Sequence, residues 1–578
     1  MKHHILLGVC SALVLTAAVP ALGQDTDRSW TPVTDEMILD PNPSDWLQWR
    51  GTVNNWGYSP LDQINTDTVG DLELVWSWAL GQGGQQEVAP IVHDGIMFLA
   101  ENQNYLEALD AETGDLIWSY THTRPEFEGG YHNNQAQRQK NSIALYGDSV
   151  ILTTVDARLI ALDALTGQVQ WDVQVNDWEA GYSFTAGPLV ADGKVFTGTS
   201  GCSIVGTAGA CWFTAHDATN GEELWRFNTL ASPEAGEEIE ASWNGVPQEN
   251  RWGASIWATA TYDADLDMVF FGTGMPIPYA EITRGTGDGD VLYTNSTIAL
   301  DADTGEMVWY YQHLPRDNWD LDSPFERMVI DAEVDGETRK MIVSTPGKNG
   351  VTFGLDAATG EFIYAQETVY QNSVIINHET GEVAANVDLI PTEFGEPVTV
   401  CPAIPGGRLW QATAYSPDTG LFYLPAANTC QTAAAQEMGE ASPGSAVGFY
   451  QSFGDTLAPG ASGVGSLHAL DAATGEPVFD IQQGPRFTSA VLTTGGGLLF
   501  VGDADRYIQA LDASSGEELW RHRLQAPIGG NPMTYEVNGV QYLVIAAGQS
   551  NQTHPALTPG LAVPRQGANS IHVFRLRD

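Results

Sequence analysis

One phrase recurs seven times along this chain: a small residue, a hydrophobe or His, Asp, two variable residues, Thr, Asn or Ser, Gly, three more positions and an aromatic. The copies run from Ala108 to Trp118, Ala161 to Trp171, Ala215 to Trp225, Ala299 to Trp309, Gly354 to Tyr364, Ala469 to Phe479 and Ala510 to Trp520. Each reads as a strand, an Asp-x-x-Thr-Gly turn and a returning strand. Asp accepts local backbone N–H bonds in the turn, and Gly supplies the positive φ. A lone hairpin of this kind cannot bury its apolar face, so repetition at about blade length predicts a propeller whose aromatics fill the gaps between blades.

The repeat Asp residues, from Asp110 to Asp512, span most of the 578 residues. The wide gaps between Asp217 and Asp301 and between Asp356 and Asp471 leave room for long loops or a degenerate blade, and Ala414 to Tyr423 reads as such a degenerate hairpin. The expected fold is therefore an all-β, eight-bladed β-propeller with tryptophan-docking-type repeats, forming a single domain over residues 24–578. Residues 1–23 carry Lys2, an apolar run from Ile5 to Val19 and an A-x-A-like site at Ala21-Leu-Gly23. This pattern predicts a secretory signal and not a membrane span, because the apolar run is too short. Of the five cysteines, Cys10 leaves with the signal. Cys202/Cys211 and Cys401/Cys430 each bracket a short loop and are expected as two disulfides in an oxidising compartment. The sequence holds no C-x-x-C-H, hence no covalently attached haem is encoded.

The formal net charge is −49, from 24 basic and 73 acidic residues. That balance argues against nucleic acid and anionic membrane as partners and favours basic ones. Function on a propeller is carried by loops and by departures from the repeat. The densest departure is Leu314-Pro-Arg-Asp-Asn-Trp-Asp-Leu-Asp-Ser-Pro-Phe-Glu326, directly after the Trp309 repeat. Asp320 and Asp322, beside Trp319, have the spacing to share a hard cation or to set up a base controlled by one.

The chain resembles the PQQ-dependent quinoprotein alcohol dehydrogenases over nearly its whole mature length. Within them it is most similar to the soluble sorbose/sorbosone-type branch, which acts on many alcohols. The resemblance rests on Leu314 to Asp320, on the Cys202…Cys211 loop followed by Ala215-His-Asp217, and on Cys401-Pro402 with Gly406-Gly-Arg408 ending at Cys430. The resemblance implies an eight-bladed propeller that removes hydride from an alcohol to PQQ beside Ca²⁺ or a lanthanide. It implies Asp320 as catalytic base and metal ligand, and Lys348 as the catalytic cation on the quinone oxygens. It further implies Trp257 stacked on the cofactor, with Glu87, Thr185 and Ser200 hydrogen-bonded to it.

Departures from the family pattern fall at the same site. The family's metal-binding glutamate and asparagine fall at Ser203 and Met275, and neither side chain is a good ligand for a hard cation. Asp322 is the candidate to compensate: lanthanide-using members carry such a second Asp, although they keep the glutamate and asparagine, and Asn295 is a candidate extra ligand. The adjacent Cys-Cys pair of many members is missing from the 129–141 loop. The arginine that usually holds a PQQ carboxylate falls near Asn141, leaving Lys140 or Arg138 for that role. Electrons would pass to a soluble, basic cytochrome c in the periplasm. The alternative is a cofactor-free propeller scaffold of outer-membrane protein assembly, and a sugar-binding propeller ranks behind both. A scaffold, however, needs neither the Trp-Asp-Leu-Asp loop nor the Gly347-Lys-Asn-Gly350 turn. The expected substrates are polyols, secondary alcohols or bulky hydroxylated compounds, with primary alcohols and aldehydes left open by the sequence. The stretch from Gln431 to Gly465, rich in Ala, Gly and Ser, is expected to be a long loop over one end of the channel.

Overall fold

The repeat turns fold as their chemistry dictates. In the first, Asp110 Oδ1 accepts from the backbone N–H of Glu112 (3.0 Å) and Thr113 (2.8 Å), and Gly114 takes φ +78°. Strands Tyr105–Asp110 and Leu116–Thr121 then pair antiparallel, with a register shift after Ala108. Asp301, Asp356, Asp471 and Asp512 cap their turns in the same way.

The aromatic that closes a repeat docks on the turn of the repeat that follows it. Trp118 Nε1 donates to Ala164 O (2.9 Å), and a Cβ on Gly167 would sit 2.6 Å from its ring. Trp225 repeats this on Ala302 O (3.1 Å) and Gly305, Trp309 on Ala357 O (3.0 Å) and Gly360, and Tyr364 on Ala472 O (3.0 Å) and Gly475. The repeat Gly thus serves two ends at once. It takes the positive φ of the turn, and it leaves room for the neighbour's ring, which any side chain would strike.

This computed structural model describes residues 28–81, 85–125, 143–231, 236–334, 336–438, 450–550, 552–562 and 568–577. Among them, eight sheets of four antiparallel strands follow one another, at 91–121, 143–174, 189–228, 261–312, 328–367, 414–483, 492–523 and 528–576. The last obtains its fourth strand from far upstream: Leu72–Ala79 pairs with Ser570–Leu576. Tyr58–Ser59 adds a parallel strand to Leu492–Thr494 of the seventh. Residues 58–79 are therefore tied by main-chain hydrogen bonds to the last two sheets of the row, whose edges gain pairing partners. Burial falls from the first strand of a sheet to the fourth. In the first sheet, Ile91–His93 and Ile96–Glu101 are wholly buried, whereas Leu116–Thr121 alternates with solvent. The apolar core consequently runs through the inner strands, and the loops between them reach the site. Among the described residues helices are short, the longest being Asp35–Leu39 and Glu237–Ala241. Among the described residues none is long and apolar enough to cross a membrane. The architecture is all-β and a β-propeller.

Ala414–Ser416 and Leu421–Ala427 form the degenerate hairpin read from the sequence. The 431–465 stretch departs from expectation. Thr429–Ala435 and Tyr450–Leu457 are strands of one hairpin that pairs with Pro397–Val400, where a loop was expected. Its small residues are what allow it: Ala433, Ala434 and Ala435 are buried, and a strand needs no repeat pattern when its partner supplies the ladder. The 1–23 segment, Lys140, Arg138 and Asn141 lie outside the described residues.

Candidate active site

The loop that follows strand Met307–Gln312 is pinned by one buried carboxylate. Asp317 Oδ1 accepts from Trp319 N–H (2.7 Å), and its Oδ2 accepts from Leu321 N–H (2.8 Å) and Asn295 Nδ2 (3.1 Å). Between these anchors Asp320 adopts φ +61°, a conformation that Asp and Asn tolerate better than most residues. The turn delivers its carboxyl to Lys348, which lies between strands Glu337–Ser344 and Val351–Asp356. Lys348 Nζ stands 2.7 Å from Asp320 Oδ1, 3.1 Å from Asp320 O and 2.6 Å from Asp322 Oδ2. Met275 N–H donates to Asp322 Oδ1 (2.9 Å), and Lys348 N–H donates to Asp322 O (2.9 Å). All three side chains are buried, at 9%, 7% and 5% exposure for Asp320, Asp322 and Lys348.

Burial pushes the Asp320 carboxyl well above the usual carboxylate range, and the neighbouring Asp322 adds to this while Lys348 opposes it. At Asp322 burial acts upward too, but Lys348 and the hydrogen bonds outweigh it and hold the group low. Burial works against the Lys348 ammonium, yet the two carboxylates more than offset that and raise it. The cluster thus holds one firm cation and two unequal carboxyls, an inequality suited to dividing the roles of base and ligand.

Trp257 borders the cluster. Lys348 Nζ lies 5.8 Å from its ring centroid, and Phe325 meets it edge-on at 5.2 Å. Next to it in the chain, Ile256 O accepts from Ser200 Oγ (3.2 Å), which is joined to Thr185 Oγ1 at 2.6 Å. The structure hence gathers Asp320, Asp322, Lys348 and Trp257 directly, and joins Thr185 and Ser200 to the backbone beside Trp257. Glu87 sits on a different strand entry, its Oε1 accepting from Gln85 (2.5 Å) and its backbone O from Asn531 (3.3 Å).

Asn295 tests the fit of a hard cation. Its Nδ2 is spent on Asp317 and Leu321 O (3.4 Å), and its buried Oδ1 has no hydrogen-bond partner among the described residues. A buried amide oxygen left over on the side chain that holds Asp317, in the loop that carries Asp320 and Asp322, is a donor of the kind Ca²⁺ or a lanthanide takes. Met275 contributes nothing to such a shell: its side chain packs with Ile277, Val205, Trp252 and Tyr279. Among the described residues no three His, Cys, Asp or Glu side chains converge on a metal position, so a bound ligand would have to complete the shell. The residues fit a cation held jointly by protein and cofactor.

Both disulfides form, Cys202–Cys211 and Cys401–Cys430. The second fastens the 401–408 segment, whose Gly407 N–H donates to Lys348 O (2.8 Å). Sequence reasoning missed two parts of this site. Asp317 was legible as a side chain two and four residues before the amides it caps. The pairing of Arg408 with Glu326 was not, since the two lie 82 positions apart.

A family model described as "Glucose/ethanol/alcohol dehydrogenase, beta-propeller domain", of the PQQ type, matches residues 46–393 and 481–543. The chain is 33% identical to the dehydrogenase subunit of a quinone-type alcohol dehydrogenase from Komagataeibacter europaeus, over 96% of this chain and 78% of that protein. It is 32% identical to quinohemoprotein alcohol dehydrogenase ADH-IIG of Pseudomonas putida, over 93% and 77%. Among solved structures, a europium-containing methanol dehydrogenase superposes with a TM-score of 0.83 at 27% identity, covering 94% of this chain and all of that one.

Proposed function

The chain belongs to the PQQ-dependent alcohol dehydrogenase family, and we propose that it oxidises secondary, polyhydroxylated or bulky alcohols in the periplasm through Asp320, Lys348 and Trp257. The observation that carries this reading is the buried Asp320–Lys348–Asp322 cluster bordered by the Trp257 ring. Bound PQQ supplies the two-electron, hydride-accepting chemistry, and Ca²⁺ or a lanthanide would polarise it. Trp257 offers the rigid π-face that a flat cofactor needs, with Thr185, Ser200 and Glu87 as polar partners. Lys348 supplies positive charge where negative charge develops on the acceptor. Asp320 takes the hydroxyl proton of the alcohol at its carboxylate oxygen as hydride leaves the carbinol carbon. Asp322 and Asn295 Oδ1 would be the remaining protein ligands for the cation. Lys140 is our candidate for a PQQ carboxylate, as a point charge without the fork of an arginine.

The eight consecutive sheets and the pairing of Leu72–Ala79 with Ser570–Leu576 support one eight-bladed ring over residues 24–578. Breadth toward bulky alcohols is supported by the apolar group of Met275, Ile277, Trp252 and Tyr279, whose Met275 amide touches Asp322. The charge of −49 supports a basic cytochrome c as electron acceptor, recruited at a rate that falls with added salt. The test is reconstitution of purified protein with PQQ and either Ca²⁺ or La³⁺, followed by a dye-reduction screen of alcohols. Absence of PQQ-dependent dye reduction with every alcohol and both metals would overturn the reading.

A further inference from the structure

We infer that Arg408, locked by Glu326, is a positioning residue that sets the distance between the Lys348 turn and the Asp320–Phe325 loop. The inference rests on the reading of the site given above and assigns a task to the pair that frames it. Both side chains are buried, Arg408 at 0% and Glu326 at 2% exposure. The Arg408 guanidinium makes three contacts in three directions. Nη2 pairs with Glu326 Oε1, Nη1 donates to Thr345 O (2.7 Å), and Cζ lies 4.7 Å from the Phe325 ring centroid.

Each contact leads to the site. Thr345 opens the turn that carries Lys348. Phe325 meets Trp257 at 5.2 Å, and its own N–H donates to Pro346 O (3.2 Å). Gly407, preceding Arg408, donates to Lys348 O (2.8 Å). Glu326 is fixed in turn: its Oε1 also accepts from Thr413 N–H (2.8 Å) and Oγ1 (2.6 Å), while Ser344 Oγ donates to its backbone O (2.6 Å). One guanidinium therefore spans the 345–350 turn, the 320–326 loop and the 401–413 segment.

Stability alone is a weak reason for such a pair. Buried ion pairs pay desolvation for both charges, and well-packed apolar residues of similar volume commonly serve as well or better. A planar fork differs from an apolar plug in fixing angles as well as filling space. The site it frames needs that, because displacement of reacting groups by about 1 Å can cost on the order of 100-fold in rate.

The experiment compares Arg408→Lys, Phe325→Leu and Asp320→Asn with the wild-type holoenzyme. Turnover per bound PQQ, alcohol KM, melting temperature and PQQ affinity are measured, the last by fluorescence quenching during titration of PQQ into apo protein. Arg408→Lys keeps the charge and loses the fork. It is expected to lower kcat per bound PQQ about 10- to 100-fold while alcohol KM stays within about threefold, and to weaken PQQ binding. A merely structural role would lower the melting temperature and leave kcat per bound PQQ alone; that result overturns the inference. Phe325→Leu leaves the ion pair intact and severs its link to Trp257, so it carries the test if Arg408→Lys does not fold. It too should reduce kcat and PQQ affinity, and wild-type values of both would be refuting. Asp320→Asn separates the two readings. Its inactivity beside a fully active Arg408→Lys would sink the positioning role alone, whereas an active Asp320→Asn would sink the site and the inference together.

Discussion

Asp320→Asn is the sharpest perturbation of the site, because the structure predicts different outcomes for fold and for rate. Asn accepts the left-handed backbone at this position (φ +61°), so the turn between Trp319 and Leu321 should survive where a β-branched residue would strain it. Its carbonyl can still receive the Lys348 ammonium, and Asp322 Oδ2 remains 2.6 Å from the same Nζ. The substitution also replaces two buried carboxylates facing one ammonium by a balanced pair. The loss of one charged hydrogen bond, about 1.5–3 kcal/mol, is thereby partly offset by relief of carboxylate repulsion and desolvation. Global stability should consequently change by no more than about 1–2 kcal/mol. Rate should behave differently. Removing a general base alone costs about 10²–10⁴-fold, and this side chain is also a cation ligand, so turnover per bound PQQ should fall by at least that range. The assay is single-turnover oxidation of an alcohol identified in the screen, with PQQ occupancy read from its absorbance and folding from thermal melting. A PQQ-loaded, folded variant turning over within tenfold of wild type would refute the assignment of Asp320 as base.

Three further outcomes follow from the geometry. Alkylation of the unfolded, unreduced chain should label none of Cys202, Cys211, Cys401 and Cys430, and all four after reduction; label on any of them before reduction would contradict the two bridges. Trp309→Ala removes a ring at 8% exposure, its hydrogen bond to Ala357 O and its seat on Gly360, which should cost about 3–5 kcal/mol in a denaturant titration. A loss under 1 kcal/mol would mean that the docking aromatics do not tie neighbouring sheets. Asp322→Ala should raise the Ca²⁺ or La³⁺ concentration needed for activity far more than it changes alcohol KM at saturating metal. Calorimetry of metal binding with and without PQQ checks the same point, since tight binding without PQQ, unaltered by losing Asp322, would place the cation elsewhere.

The repeating architecture follows from local chemistry along the chain. Asp110 with Thr113 and Gly114, and each counterpart down the chain, is an interaction among residues two to four positions apart, where side-chain and backbone chemistry leave little choice. The docking of Trp118 on Gly167 was legible for a related reason: the same phrase recurs, so one hairpin predicts the surface its neighbour presents. Asp320 and Asp322 stood out as departures from that phrase, whereas Lys348 was marked only by the family resemblance. Their partners were decided only in three dimensions. Lys348 meets Asp320 across 28 positions and Arg408 meets Glu326 across 82, separations over which no local pattern constrains register. The hairpin of Thr429–Ala435 with Tyr450–Leu457 escaped for the opposite reason. Its Ala- and Gly-rich composition carries little strand preference of its own, so pairing with Pro397–Val400 and burial against the fold made it a strand. Local chemistry wrote the blades, and the meeting of distant loops over them decided which carboxylate faces which cation.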